Sequence, residues 1–262
     1  MTRSCRRRRW MLLAAPIVAA ALLVAGVAWL PGRGAPPPAD DGPATMLWAW
    51  ERPEDLRFLD PGTTGVAYLA GTATLSGDTT IWRPRLQPLQ VSDGTVIEAV
   101  VRVEVDPRAP PTLSDGQRAR LAGTLAGAAG APGVRGLQVD FDATASQRGF
   151  YRDLLADLRA ALPGDAGLSM TALASWCLGD PWIADLPVDR AVPMLFEMGA
   201  DDGAVRRHLA DGGGFGPAVC QGSVGLATGE PAPDLPGTAR TYWFHDTPWT
   251  AEALAAALES TP

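Results

Sequence analysis

Apolar and polar residues alternate over residues 136–142, with Leu137, Val139 and Phe141 on one side and Gln138, Asp140 and Asp142 on the other. A period of two marks a strand with one apolar and one polar face. The same alternation runs through residues 96–106, where Val101, Val103 and Val105 oppose Arg102, Glu104 and Asp106. Shorter apolar runs predict strands near 46–50, 65–70, 168–175, 191–198, 223–227 and 241–244. Elsewhere the period lengthens to that of a helix. Residues 147–162 carry Phe150, Leu154, Leu158 and Leu162 at every fourth position and stop at Pro163-Gly164. Residues 114–128 open on Ser114 with Gln117 three later, a capping box. Further helices are expected at 202–210 and at 250–258, the latter capped by Thr250. Residues 72–82 read as a hairpin around Ser76-Gly77-Asp78, inserted into the alternation.

Eight strands with helices after several of them predict a parallel sheet. Within residues 46–262 this fits an α/β fold, a small (β/α)8 TIM-like barrel with some helices short or missing. A doubly wound open sheet is the alternative. No G-x-G-x-x-G loop supports it, and the glycine-rich run at 212–216 follows a helix rather than a strand.

Ahead of the barrel the pattern changes. Residues 10–30 form an uninterrupted apolar run behind Arg6, Arg7, Arg8 and Arg9. At about 1.5 Å per residue it spans roughly the 30 Å hydrocarbon core of a bilayer. Residues 1–9 are therefore expected as a cytoplasmic basic segment, 10–30 as a transmembrane helix, and 31–45 as a Pro/Gly linker. The span is either a retained signal anchor or a cleaved export signal. Its length, and the lack of a small-residue cleavage site before Pro31, favour the anchor. Both place the barrel on the extracytoplasmic side, periplasmic or extracellular. Cys177 and Cys220 would then lie in an oxidising compartment, either as a disulfide or as two buried thiols; the sequence leaves both open.

Charge narrows the partners. Every basic residue is Arg, and residues 35–262 hold 16 Arg against 29 Asp and Glu, a net charge of −13. Nucleic acid and anionic lipid need a basic face, so neither is expected to bind this domain. A neutral ligand such as a carbohydrate is compatible. The oligomeric state is not set by the sequence.

In such barrels the active site lies at the C-terminal ends of the strands. Those ends offer Trp48, Trp50 and Glu51, then Arg102 and Glu104, Asp140 and Asp142, Trp176, Glu197, Glu230, and finally Trp243, His245 and Asp246. Acids together with tryptophans suit a sugar, whose apolar ring face stacks and whose hydroxyls pair with carboxylates. Two acids on one face raise one another's pKa, which acid/base chemistry uses. A serine-triad site would need a G-x-S-x-G elbow, which is missing. His208 and His245 are far apart and show no metal-ligand spacing, so no metal or cofactor is expected.

The stretch Gly136-Leu137-Gln138-Val139-Asp140-Phe141-Asp142 resembles the fourth-strand D-x-D-x-E of family-18, chitinase-like glycoside hydrolases. Pro193-Met194-Leu195-Phe196-Glu197 resembles their sixth-strand M-x-Y-D, and Trp243 is similar to their eighth-strand tryptophan, the floor of the sugar site. The span from about 46 to 258 is also similar to a bacterial family of unknown function with a glycoside-hydrolase-like barrel, through the run Thr171-Ala172-Leu173-Ala174-Ser175-Trp176. The resemblance implies Asp142 at the catalytic acid position, one methylene shorter than the Glu it replaces. Asp140 takes the middle position, and Gln138 stands where the first Asp would be. Phe196 replaces a tyrosine and Glu197 an aspartate.

Three readings follow. The first is an extracytoplasmic glycoside hydrolase acting on an envelope or extracellular glycan. There Asp142 is the acid, Glu197, Glu104 or Asp140 its partner, and Trp50, Gln138, Arg102, Trp176, Met194, Trp243 and His245 bind the sugar. The second is a non-catalytic glycan-binding barrel. The third is a structural envelope domain without a ligand.

Overall fold

The computed structural model describes residues 42–260 apart from Asp234 and Pro236. The expected basic segment, the apolar span and nearly all of the linker lie outside the described residues. No helix among the described residues is long and apolar enough to cross a membrane.

In chain order the elements are β1 (Thr45–Ala49), β2 (Glu54–Asp55), β3 (Thr64–Ser76), β4 (Thr79–Pro84), β5 (Leu89–Gln90) and β6 (Ile97–Val105). Then follow α1 (Asp115–Ala129), β7 (Val134–Asp140), α2 (Arg148–Ala161), β8 (Gly167–Leu173) and α3 (Ala174–Leu178). The chain continues through β9 (Arg190–Met194), α4 (Asp202–Ala210), β10 (Ser223–Ala227), β11 (Arg240–Phe244) and α5 (Ala251–Glu259). Eight of these strands, β1, β3 and β6 to β11, pair in parallel in sequence order, and β1 closes the ring by pairing with both β3 and β11. This is the expected closed (β/α)8 barrel. Among the described residues, no α-helix follows β1, β3 or β10.

Strand parity divides the core. Met46, Trp48, Ala67, Val100, Val192 and Tyr242 fill the inside of the barrel. Their chain neighbours Leu47, Val66 and Trp243 face the outer layer, as do Val101, Val103, Leu137 and Val139. Beneath α1 and α2 that layer includes Leu121, Leu125, Leu154 and Leu158, all fully buried. Burying such a side chain contributes about 1.5–3 kcal/mol, so these two helices anchor one half of the barrel firmly. Ser114 caps α1 by accepting from the Gln117 N–H at 3.2 Å. Thr250 does the same for α5, accepting from Ala253 at 3.1 Å. At the N-terminal end of the barrel Glu98 closes the interior: Tyr242 donates to it at 2.9 Å and Arg190 pairs with it at 3.2 Å.

Two local expectations change. Residues 65–70 and the hairpin are not separate, because β3 runs 13 residues from the barrel wall straight into the hairpin with β4. A register shift between Leu69 and Gly71 lets the strand leave the ring there. A β-carbon at Gly71 would meet the Trp82 ring at 2.4 Å, so only glycine permits that crossing. The second change is at β8, which ends at Leu173; Ala174–Leu178 is a short helix, and it carries Trp176 off the strand. Cys177 of that helix forms a disulfide with Cys220, which resolves the alternative left open by the sequence.

Candidate functional site

The C-terminal ends of the strands surround a cleft of about 240 Å³. Its two walls differ chemically. One carries Arg102, Asp140, Asp142 and Thr171, from β6, β7 and β8 or just beyond them. The other carries Trp48, Trp50, Phe196 and Phe244, from the ends of β1, β9 and β11. Met194, Glu197, Met198 and Asp201 add to the lining on the β9 side.

Asp140 is the last residue of β7, held in register opposite Arg102. The Thr171 hydroxyl donates to its Oδ1 at 2.7 Å. Burial is the main influence on its carboxyl and raises its pKa from the ordinary 3.8 to about 6. The Thr171 bond and Arg102 pull the other way, while the charges of Asp142 and Glu104 push up. Asp142 lies two residues past the strand, exposed at the rim. Its pKa is raised too, by partial burial, against the pull of Arg102. The sequence implied that Asp140 raises Asp142. The influence resolved here runs from Asp142 to Asp140, because the deeper carboxyl is the one shielded from water.

The aromatic wall is built by one stacked pair and two edge contacts. Phe196 and Phe244 stack with centroids 5.6 Å apart and planes 3° from parallel. Trp48 meets Phe196 edge-on at 6.0 Å, and Trp50 meets Phe244 at 6.3 Å. Trp48 is fixed from below, donating Nε1–H to the Gln138 Oε1 at 2.7 Å, with Ser169 next to Gln138 at 3.4 Å. Gln138 therefore lies fully buried under the cleft and acts on it through Trp48.

Glu197 has φ of 50°, in the left-handed region that non-glycine residues avoid. Its N–H donates to Glu230 at 3.1 Å. Arg206 of α4 holds Glu230 at 2.9 Å and Asp202 at 2.7 Å. Glu230, which the sequence placed at a strand end as a candidate acid, thus supports Glu197 from behind. Such strained positions persist only when their surroundings over-determine them, and they cluster at functional sites.

Besides Gln138, four of the expected site residues are placed elsewhere. Trp243 faces the outer layer with Leu47, Val66 and Trp249, because Tyr242 and Phe244 take the inward positions of β11. Trp176, on its short helix, packs edge-on against Trp182 with centroids 5.0 Å apart. His245 leans on Trp249 at 4.9 Å and bonds Thr228 and Thr247. Glu104 lies one step above Arg102 on the same face and pairs with it at 3.3 Å, above the cleft rather than in it. Thr171 and Phe244 were missed as lining residues. Parity would have found Phe244, two residues beyond Tyr242. Nothing in the sequence marks Thr171 as the partner of Asp140.

No protein-family model matches the chain, and no curated protein matches it in sequence. Among solved structures, the chain is similar to the crystal structure of a "putative Chitinase A" from Streptomyces coelicolor, with a TM-score of 0.56 and 12% identity, covering 84% of this chain and 97% of that one. It is also similar to a chitinase from Rhizomucor miehei, with a TM-score of 0.43 and 11% identity over 70% of this chain and 68% of that one. At such identity the first likeness is one of fold. The chain forms a TIM barrel whose fold is similar to that first structure.

Proposed function

We propose that this barrel is an extracytoplasmic glycoside hydrolase that acts on an envelope or extracellular glycan in the cleft above β1, β6, β7 and β9. The observation that carries this reading is the pairing of a carboxylate wall with an aromatic wall across one cleft. A pyranose fits such a site with its ring face on the aromatic side chains and its hydroxyls toward the acids. Asp142, at the exposed rim, donates its proton to the glycosidic oxygen as the C–O bond breaks. Glu197, on the β9 side, either takes a proton from the attacking water or itself attacks the anomeric carbon. The carboxyl separation in the bound state decides between these, about 5 Å for retention and about 6.5–9.5 Å for inversion. Asp140, pushed up to about 6 by burial, keeps its proton below that pH, is ionised at pH 7, and with Thr171 sets the local field. The Arg6–Arg9 cluster, the apolar run behind it and the Cys177–Cys220 disulfide support an oxidising compartment outside the cytoplasm, with the N-terminal helix as membrane anchor.

The test is hydrolysis of a panel of neutral glycans by the wild type and Asp142→Asn. General acid catalysis is worth roughly 10²–10⁴-fold, so the substitution should lower turnover at least about a hundredfold while binding persists. Glycan binding without turnover in the wild type would overturn catalysis. It would favour the second reading, a non-catalytic glycan-binding barrel, which draws on Asp142 being a methylene shorter than the Glu of the resembling enzymes.

A further inference from the structure

The wall next to the cleft continues upward. At the rim β3 leaves the ring and rises with β4 and the end of β6 as a three-stranded sheet. Its outer face is apolar and covered: Ala73, Leu75, Val101 and Val103 are buried in the layer beneath α1. Its inner face is polar and, above the buried Thr72, open to solvent. Register places Thr72 beside Arg102 and Thr74 beside Glu104 on β6, and opposite Arg83 and Ile81 on β4. Partners in register share a face. Arg102 also lines the cleft, so wall and cleft form one continuous surface.

We infer that this raised sheet is a second binding surface, and that the substrate is a neutral oligosaccharide longer than the cleft holds. The inference rests on the glycan reading above and adds the length and charge class of the ligand. The cations of the wall are balanced: Arg83 pairs with Glu51 at 3.2 Å and Arg102 with Glu104 at 3.3 Å. Arg83 (62% exposed) and Arg102 (44%) keep donors open to solvent, and Glu51 (40%) and Glu104 (41%) keep acceptors open. Such a row offers hydroxyls both bonding partners without a net charge. The cleft beside it adds Asp140, Asp142 and Glu197 against the same Arg102, so an anionic polymer is repelled. From Arg102 to Asp106 at a strand rise of roughly 3.3 Å, the wall extends about 13 Å, room for more than one further sugar ring. Ile81, 55% exposed on the same face, supplies an apolar contact for a ring face.

The experiment is calorimetric titration of the full-length chain with neutral oligosaccharides of two to six units, chitin-type first and then glucose-, mannose- and galactose-based, with oligogalacturonate as the anionic control. The wild type should bind four-unit chains at least about tenfold more tightly than two-unit chains. Arg83→Ala should remove that gain and change two-unit binding less than about twofold. An unchanged melting temperature would show that the variant is folded, and Ile81→Asp provides an independent second lesion of the same surface. Affinity that does not depend on length in the wild type, or equal losses for short and long chains in both variants, overturns the wall and leaves the cleft standing. Tighter binding of oligogalacturonate overturns the charge class. If no oligosaccharide of any length binds the wild type, the glycan reading falls and the wall falls with it.

Discussion

The two walls of the cleft are held in place by different means. Asp140 and Thr171 stand on strand ladders, Asp140 paired with Arg102 on β6 and Thr171 with Val192 on β9, and α1 and α2 pack behind that side. Trp50 and Phe196 lie past the ends of β1 and β9, where no ladder reaches them. The loop after β1 is tied instead by Arg85, which donates to the carbonyls of Ala49, Trp50, Arg52 and Gln87. Arg52 in turn bonds the carbonyls of His245 and Asp246 beyond β11 and pairs with Glu54 at 2.9 Å. Regular structure therefore positions Asp140 and Thr171, and guanidinium clamps position the loop that carries Trp50. Each wall also carries a cost, of a different kind. On the acid side it is electrostatic, a carboxyl kept from water. On the β9 side it is conformational, the left-handed Glu197.

Four substitutions sharpen or break that contrast. Leu154→Ala removes a fully buried side chain of α2 behind the acid wall and should cost about 2–5 kcal/mol in urea unfolding. A loss under about 1 kcal/mol would mean that the helix does not brace that wall. Asp140→Asn keeps an acceptor for Thr171 and removes the ionisation. The folded carboxyl titrates at about 6 and the unfolded one near 3.8, so between those values the folded state keeps a proton that the unfolded chain has released. Wild-type stability accordingly falls as pH rises through that window. The asparagine variant should be more stable than wild type by about 1–3 kcal/mol at pH 7, at 1.36 kcal/mol per pKa unit and with allowance for partial exposure. Near pH 4 the advantage should vanish; an equal advantage at both values would contradict an electrostatic origin.

Arg85→Ala should cost about 1–2 kcal/mol, since the freed carbonyls regain water. Its signature is local: amide exchange should quicken in residues 50–53 and stay unchanged in 137–140. Uniform quickening would show that the clamp serves the whole barrel. Glu197→Gly should give the smallest effect, a gain of about 0.5–1 kcal/mol, because relief of a left-handed backbone exceeds the entropy that glycine adds. A net loss in thermal unfolding would place the side chain of Glu197, rather than its backbone, in the stability of that loop.

The alternation of residues 136–142 and the i+4 leucines of residues 147–162 specified β7, α2 and the barrel class, because period and burial are local properties of a chain that must form a core. Asp140, Asp142, Trp50, Arg102, Met194 and Glu197 were legible as mouth residues for the same reason: they end or follow strands, and parallel strands all end on one side. What tertiary structure decided is which tryptophan faces in. Trp48 and Trp243 look alike in sequence, yet strand pairing around a closed ring turns one toward the cleft and the other toward the outer layer. It also decided that Glu230 backs Glu197, that Thr171 meets Asp140 and that Cys177 meets Cys220. Each of those pairs joins residues far apart along the chain or on different strands. Their meeting depends on ring closure and loop path, which no local pattern of apolar and polar residues encodes.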